Sequence, residues 1–130
     1  MKNDPELFGV CPFVTAQRLL YGKWSILILH ELIDGPKRFN ELLHAMPGEM
    51  THTTLVRQLK NLEKEGLIVR KDFGQIPPRV EYSLTELGGK FRDVLNAIEK
   101  WGRDYIEYLV AIRNAEGLSL DERCAQLDEH

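Results

Sequence analysis

The stretch from residue 23 to residue 84 constrains the fold most, because its apolar residues and turn formers follow one another in a fixed order. The residues from Lys23 to Ile33 are too densely apolar for a surface helix, and they end at a Gly35–Pro36 stop signal. A shorter amphipathic segment, residues 38–46, ends where Pro47 disfavours helical geometry. These segments predict a buried central helix followed by a short second helix.

A third helix is predicted after the tight turn that Pro47 and Gly48 form. Thr51 has the hydroxyl of an N-cap residue, and Gly66 closes the helix after about Glu65. Three leucines recur at helical spacing and are expected to face the core: Leu55, Leu59 and Leu62. The order of helix, turn and helix predicts a helix-turn-helix motif.

The opposite face of the third helix has the chemistry to read DNA. Arginine pairs bidentately with guanine, threonine and histidine donate or accept hydrogen bonds, and a valine methyl contacts a thymine methyl in the major groove. The candidate residues are Thr51, His52, Thr53, Val56, Arg57 and Lys60. The alternative is an ordinary solvated helix face, and the turn before the helix and the hairpin after it favour DNA.

Two short strand-like runs, residues 67–71 and 79–84, flank a loop of turn formers and predict a β-hairpin wing. Its cations Arg70, Lys71 and Arg79 are candidate contacts to phosphate or to the minor groove. Arg79 has a second interpretation, an ion pair with Glu81 or Asp72. The predicted fold class is mainly α with a small β-hairpin wing (α+β).

From Thr85 an apolar stripe continues at helical spacing to about residue 113, with Ser83 or Thr85 as the N-cap. One small core is too short to cover such a helix, so a second copy of the chain is the expected partner. The alternative is a helix that folds back on its own domain. The predicted dimerisation residues are Leu87, Phe91, Leu95, Ile98, Trp101, Tyr105 and Leu109.

Several ordered segments resemble the HxlR-type transcriptional regulators, which are relatives of the MarR group. The resemblance spans about residues 11 to 103, and it implies a homodimer of winged helix-turn-helix subunits on a dyad-symmetric operator. The start of the third helix, Thr51–Thr54, departs from the Ser-Gln-Lys-like start of many members, so the operator sequence does not carry over. The matching segments are Cys11–Pro12, Gly22–Trp24, Asp34–Leu42, Leu59–Leu67 and Pro77–Gly88.

Length and charge agree with one domain. The chain has 130 residues, 43% of them hydrophobic, and no run of transmembrane length, so a cytoplasmic protein with no membrane partner is expected. The predicted organisation is helix-turn-helix and wing at 23–84, dimerisation helix at 85–113 and acidic tail at 114–130. That tail holds five acids and one arginine, a net charge of −4, whereas residues 51–82 carry +2. The modest local basic charge suits a regulator that must leave DNA easily.

Catalytic and metal chemistry are not expected. Two cysteines and four histidines stand at no metal-ligand spacing, and no phosphate loop or nucleophile motif is present, so we expect no metal, no cofactor and no enzyme activity. His30 lies within the apolar helix and is interpreted as a core or interface histidine rather than a catalytic base.

Cys11 is the candidate sensor. Some proteins of the resembled family use a cysteine at this N-terminal position to detect quinones, aldehydes or oxidants, and a position before a helix favours the thiolate. The alternative is an inert, buried thiol. Cys124 is interpreted as a bystander in a polar tail, or as the second thiol of an intermolecular disulfide.

The sequence therefore predicts a transcriptional regulator that binds double-stranded DNA as a homodimer, with a small electrophile or oxidant as candidate effector at Cys11. The alternative is a winged-helix module that binds protein instead of DNA. The charge of the third helix and wing discriminates the two, because Arg57, Lys60, Arg70 and Lys71 favour DNA.

Overall fold

A computed structural model describes residues 7–20 and 22–116. In chain order its elements are α1 (Pro12–Leu20), α2 (Ser25–Leu32), β1 (Lys37–Arg38), α3 (Phe39–Ala45), α4 (His52–Lys64), β2 (Ile68–Asp72), β3 (Val80–Leu84), α5 (Glu86–Gly89) and α6 (Arg92–Glu116). The predicted fold class, mainly helical with a small sheet and a winged helix-turn-helix, is confirmed. The chain divides into two compact units, one ending at Arg92 and the other beginning at Asp93. Organisation as a single domain stays a prediction.

The core of the first unit lies between α2, α3 and α4. The three leucines of α4 are buried as their spacing predicts, and Leu42 supplies the buried face of α3. Its most deeply buried large side chains are Ile28, Leu29, Leu32, Leu42, Leu55 and Leu59. Apolar side chains at i, i+4 and i+7 thus fix which face of α4 is left for solvent.

The central helix is less completely buried than its composition predicts. Ile28, Leu29 and Leu32 are buried, but Leu27 is 38% exposed and His30, three residues later on the same flank, is exposed. The expected place of His30 in the core is therefore wrong, because α2 turns this flank to solvent. Its place in an interface stays a prediction.

The described residues form a three-stranded antiparallel sheet in the order β1-β3-β2. The predicted hairpin is present as β2 and β3, with Arg70 opposite Tyr82 and Lys71 opposite Glu81. The sequence analysis missed β1, in which Arg38 lies opposite Glu81. Strand β1 ends where α3 begins, so backbone pairing connects the helix-turn-helix directly to the hairpin.

The expected continuous helix from Thr85 is wrong, because a turn at Lys90 and Phe91 interrupts it and separates α5 from α6. Of the two candidate caps, Thr85 is the one used: its hydroxyl accepts a hydrogen bond from the Gly88 N–H at 3.0 Å. Two consecutive glycines, Gly88 and Gly89, make this turn a poor helix former. The apolar spacing continues across the break, which is why periodicity alone did not reveal it.

Helix α5 packs tightly on the end of α4. A Cβ added at Gly88 would overlap the carbonyl oxygen of Leu67. That oxygen accepts the Thr85 N–H at 3.0 Å, and the Thr85 hydroxyl donates to the Gly66 carbonyl at 2.6 Å. Gly66 itself has a φ of +80°, as expected for a residue that closes a helix. Only a glycine at position 88 allows this approach of the two backbones.

Candidate nucleic-acid interface

The start of α4 is fixed by its cap. Thr51 is extended, and its hydroxyl accepts the Thr54 N–H at 3.1 Å and donates to the Thr54 hydroxyl at 2.9 Å. Such a cap satisfies one of the N–H groups left without a partner at a helix start. The turn from Pro47 to Met50 thus delivers α4 with an ordered N-terminal end.

His52, the first residue of α4, contacts the second helix of the motif. Its ring centroid lies 4.5 Å from that of Phe39, the first residue of α3, at an interplanar angle of 48°. His52 remains exposed. The contact therefore sets the orientation of the imidazole while leaving it accessible on the outer surface of the motif.

The outer face of α4 carries two exposed cations. Thr53, Arg57 and Lys60 are exposed as the spacing predicts, and Val56 is half-buried. Within the part of the chain that the structure describes, the salt bridges involve neither Arg57 nor Lys60. One guanidinium group and one ammonium group on the same helix face are thus available to phosphates and base edges.

The wing, defined as β2, β3 and the loop 73–79 between them, uses its cations in two ways. Arg70 and Lys71 are exposed on β2. Arg79 instead donates to the Glu81 carboxylate from Nε at 3.0 Å and from Nη2 at 2.7 Å. Its guanidinium also lies 4.5 Å from the ring centroid of Phe73. The ion pair with Glu81 is therefore formed, and the contact of Arg79 with DNA stays a prediction.

Arg38 is a cation near the wing that the sequence analysis missed. Its Nη2 donates to the Pro78 carbonyl at 3.3 Å, and the side chain is exposed. The sequence predicts position 38 only as the start of the second helix. The place of Arg38 beside the wing depends on the pairing of β1 with β3, which no local sequence pattern indicates. Arg38 lines a groove of about 580 Å³ together with Gln75, Ile76, Pro77, Arg79 and Glu81.

Cys11 is half-buried and immediately precedes α1, as expected from the sequence. Its N–H donates to the Leu7 carbonyl at 2.8 Å, and its carbonyl accepts both the N–H and the hydroxyl of Thr15. The backbone at Cys11 is therefore held in place, and the residue as a whole is partly accessible to solvent. Cys124 lies outside the described residues.

The second unit presents an aromatic face. Trp101, Tyr105 and Tyr108 of α6 are 67%, 46% and 57% exposed, and their rings stack at centroid distances of 5.2 and 5.7 Å. Leu95 is only 7% exposed, and its place in a dimer interface stays a prediction. The other members range from exposed to half-buried: Leu87, Phe91, Ile98 and Leu109.

Among residues 7–20 and 22–116, no three metal-ligating side chains are grouped so that they would hold an ion. Nor does any helix in these ranges have the length and apolarity to cross a membrane.

Curated relatives share most of the chain. The HTH-type transcriptional regulator YdeP of Bacillus subtilis is 43% identical over 112 residues, which are 84% of this chain and 87% of that protein. The HTH-type transcriptional regulator sll1512 of Synechocystis is 47% identical over 106 residues, 80% of this chain and 78% of the relative.

Solved structures are similar in both fold and sequence. A transcriptional regulator assigned to the MarR family, from Porphyromonas gingivalis, superposes with a TM-score of 0.68 at 38% identity, covering 72% of this chain and 91% of that one. The redox regulator HypR in its reduced form superposes with a TM-score of 0.71 at 35% identity, covering 77% of this chain and 98% of HypR. Diamide-treated YodB from Bacillus subtilis superposes with a TM-score of 0.61 at 34% identity, covering 74% of this chain and 95% of YodB.

The family model for HxlR-like helix-turn-helix proteins matches residues 19–109, from the end of α1 through most of α6. This range includes the capped α4, the wing and the glycine-packed junction at α5. The chain belongs to the HxlR-like helix-turn-helix family.

Proposed function

We propose that this protein, a DNA-binding transcriptional regulator, acts as a homodimer on a dyad-symmetric operator, with α4 in the major groove of each half-site and the wing beside it. The observation that carries the proposal is the outer face of α4, where Arg57 and Lys60 are exposed cations without an ion-pair partner among the described residues. His52 and Thr53, on the first turn of α4, add hydrogen-bonding groups that suit base edges.

The aromatic face of α6 supports the homodimer. Trp101, Tyr105 and Tyr108 expose a stacked apolar surface that a monomer would leave in water. A second copy of the same face is a self-complementary partner, and two-fold pairing sets two α4 helices to read two half-sites about one helical turn apart.

Control by a thiol is the regulatory part of the proposal. HypR is a redox regulator, and YodB has been solved after treatment with diamide. In this chain Cys11 lies immediately before α1 and is half-buried. Its thiolate is the nucleophile that we propose to react with a small electrophile such as a quinone. A regulator that acts on chromosomal DNA is expected in the cytoplasm.

The alternative, a module that binds protein through the same face, is disfavoured by its charge. Arg57, Lys60, Arg70 and Lys71 are exposed on α4 and the wing. A protein-binding winged helix would instead offer a contiguous apolar patch at this position.

The experiment is selection of bound duplexes from a random-sequence pool, followed by affinity measurements on the enriched duplex. We expect a palindromic sequence with half-sites about 10 base pairs apart. Arg57→Ala should lose roughly 1–3 kcal/mol on that duplex and relax the preference at one position per half-site. Its matched control, Lys71→Ala, should weaken all duplexes alike and reduce the salt slope by about one.

Two results would contradict the proposal. The first is a pool from which no sequence is enriched, since that removes sequence-specific binding altogether. The second is an equal loss for Arg57→Ala on the enriched duplex and on random DNA, since α4 would then contribute charge but no readout.

A further inference from the structure

The tip of the wing carries an isoleucine whose side chain is almost completely exposed. Ile76 is 99% exposed, the highest value among the large apolar side chains of the described residues. Exposing a complete branched side chain to water gives no stability to the fold, since an apolar side chain contributes only when it is removed from water. Its position at the end of the hairpin leaves the whole side chain available for contact with a partner.

The backbone beside Ile76 is held from both strands of the hairpin. The Gly74 N–H donates to the Asp72 carboxylate at 2.9 Å, and the Phe73 N–H donates to the Arg79 carbonyl at 2.9 Å. Pro77 and Pro78 follow Ile76 and restrict the returning strand. A preorganised tip loses less conformational freedom on binding than a loose loop would.

The side chains below the tip reinforce this arrangement. The Phe73 ring has the Lys71 ammonium 4.7 Å and the Arg79 guanidinium 4.5 Å from its centroid. Arg79 is also bonded to the Glu81 carboxylate through Nε and Nη2, so its guanidinium is held within the wing. The arginine that immediately precedes β3 thus acts as a positioning residue, and Ile76 is the most exposed large apolar side chain of the loop.

The wing and the neighbouring strand β1 carry a net positive charge. Residues 37–38 and 68–84 together hold five basic and two acidic residues, a net charge of +3. Arg38 is bonded to Pro78 from the neighbouring strand, so one of these cations lies beside the returning limb of the loop. An apolar projection on a positively charged wing is complementary to the minor groove, whose walls are lined by phosphates and sugars and between whose base steps proteins insert apolar side chains.

We propose that the wing enters the minor groove through Ile76, which packs against the sugars and base edges there, while Arg79 holds the tip in place instead of contacting DNA. The inference rests on the proposed DNA binding and names its groove contact. The wing then adds a preference for groove width and for the absence of the guanine amino group, which obstructs the floor of the minor groove.

The test uses the full-length protein and the duplex that the wild type enriches from the random pool. Each A·T pair flanking the major-groove contacts is replaced in turn by 2,6-diaminopurine·T, and each G·C pair by inosine·C. These substitutions add or remove the minor-groove amino group and leave the major-groove pattern unchanged. Ile76→Ala is compared with Ile76→Leu and with Val69→Ala, which alters another exposed apolar residue of the wing.

We expect wild type to lose about fivefold or more in affinity when an amino group is added at one flanking step in each half-site. Ile76→Ala should bind the parent duplex about tenfold more weakly, as for loss of a half-buried three-carbon group, and should no longer respond to the added amino group. The salt slope should not change, because no charge is removed. Ile76→Leu should restore both properties, and Val69→Ala should resemble wild type.

An Ile76→Ala protein that matches wild type in affinity and in its response to the modified pairs would overturn the inference, as would a reduced salt slope, which indicates lost phosphate contacts. These failures are distinguishable from failure of the proposed function. In the latter case the wild type enriches no duplex at all, and the comparison among variants shows no sequence-dependent binding in any of them.

Discussion

Gly88→Ala tests how closely α5 packs on the end of α4. A Cβ at this position overlaps the Leu67 carbonyl oxygen, which is backbone and has no flexible end to move aside. Helix α5 must therefore shift, and the shift pulls on the bonds from the Thr85 N–H to Leu67 and from the Thr85 hydroxyl to Gly66.

The net effect is a balance of opposing terms. Crowding of this kind costs roughly 1–3 kcal/mol, and weakening two hydrogen bonds costs about 1 kcal/mol each. Alanine regains up to about 1 kcal/mol through its better helix propensity and the smaller entropy of its unfolded chain. The free energy of unfolding should fall by about 2–4 kcal/mol, which for a chain of this size lowers Tm by roughly 10 °C or more.

Gly89→Ala is the matched control, because a Cβ on this neighbouring glycine of the same helix meets nothing within 4 Å. It should raise the free energy of unfolding by about 0.5 kcal/mol. Thermal unfolding followed by circular dichroism, with all proteins at the same concentration, separates the two. If Gly88→Ala is as stable as Gly89→Ala, the close approach of α5 to Leu67 is refuted.

Three further perturbations address the cap, the assembly and the thiol. Thr51→Ala should lower the free energy of unfolding by about 1 kcal/mol in urea titrations, with Thr51→Ser close to wild type, and equal values for both would exclude the hydroxyl cap. Trp101→Asp should sediment as a folded monomer at micromolar concentrations where wild type is a dimer; a monomeric wild type contradicts the two-fold assembly. Benzoquinone should change the operator affinity of wild type and of Cys124→Ser but not of Cys11→Ser, and a normal response of Cys11→Ser would make that thiol structural.

Local signals made the helix-turn-helix and the hairpin predictable from the sequence. Thr51 caps α4, Pro47 ends the preceding segment, and the leucine spacing selects the buried face, so each element depends on residues close to it in the chain. The fold class followed from their order. Strand β1 escaped prediction because two residues show no alternation, and because its pairing partner lies about forty residues away in the chain.

Packing decided what the sequence left open. Arg79 has acids within reach on both strands, and only the position of Phe73 and Glu81 in the folded hairpin selects its ion pair. The break after α5 was hidden because the apolar spacing persists across it. His30 lies in an apolar run, but its side of α2 is not covered within the subunit.

The short strand β1 fixes the distance between the wing and α4, the two elements that we propose to contact DNA. Arg38 pairs with β3 of the wing, the next residue Phe39 begins α3, and its ring contacts His52 at the start of α4. These three connections join the wing to α4, and we propose that the two elements bind neighbouring grooves of the duplex. Overwinding or underwinding a duplex changes the offset between its major and minor grooves, so that α4 and the wing no longer fit both grooves at once. Operator binding is therefore expected to depend on DNA twist as well as on base sequence.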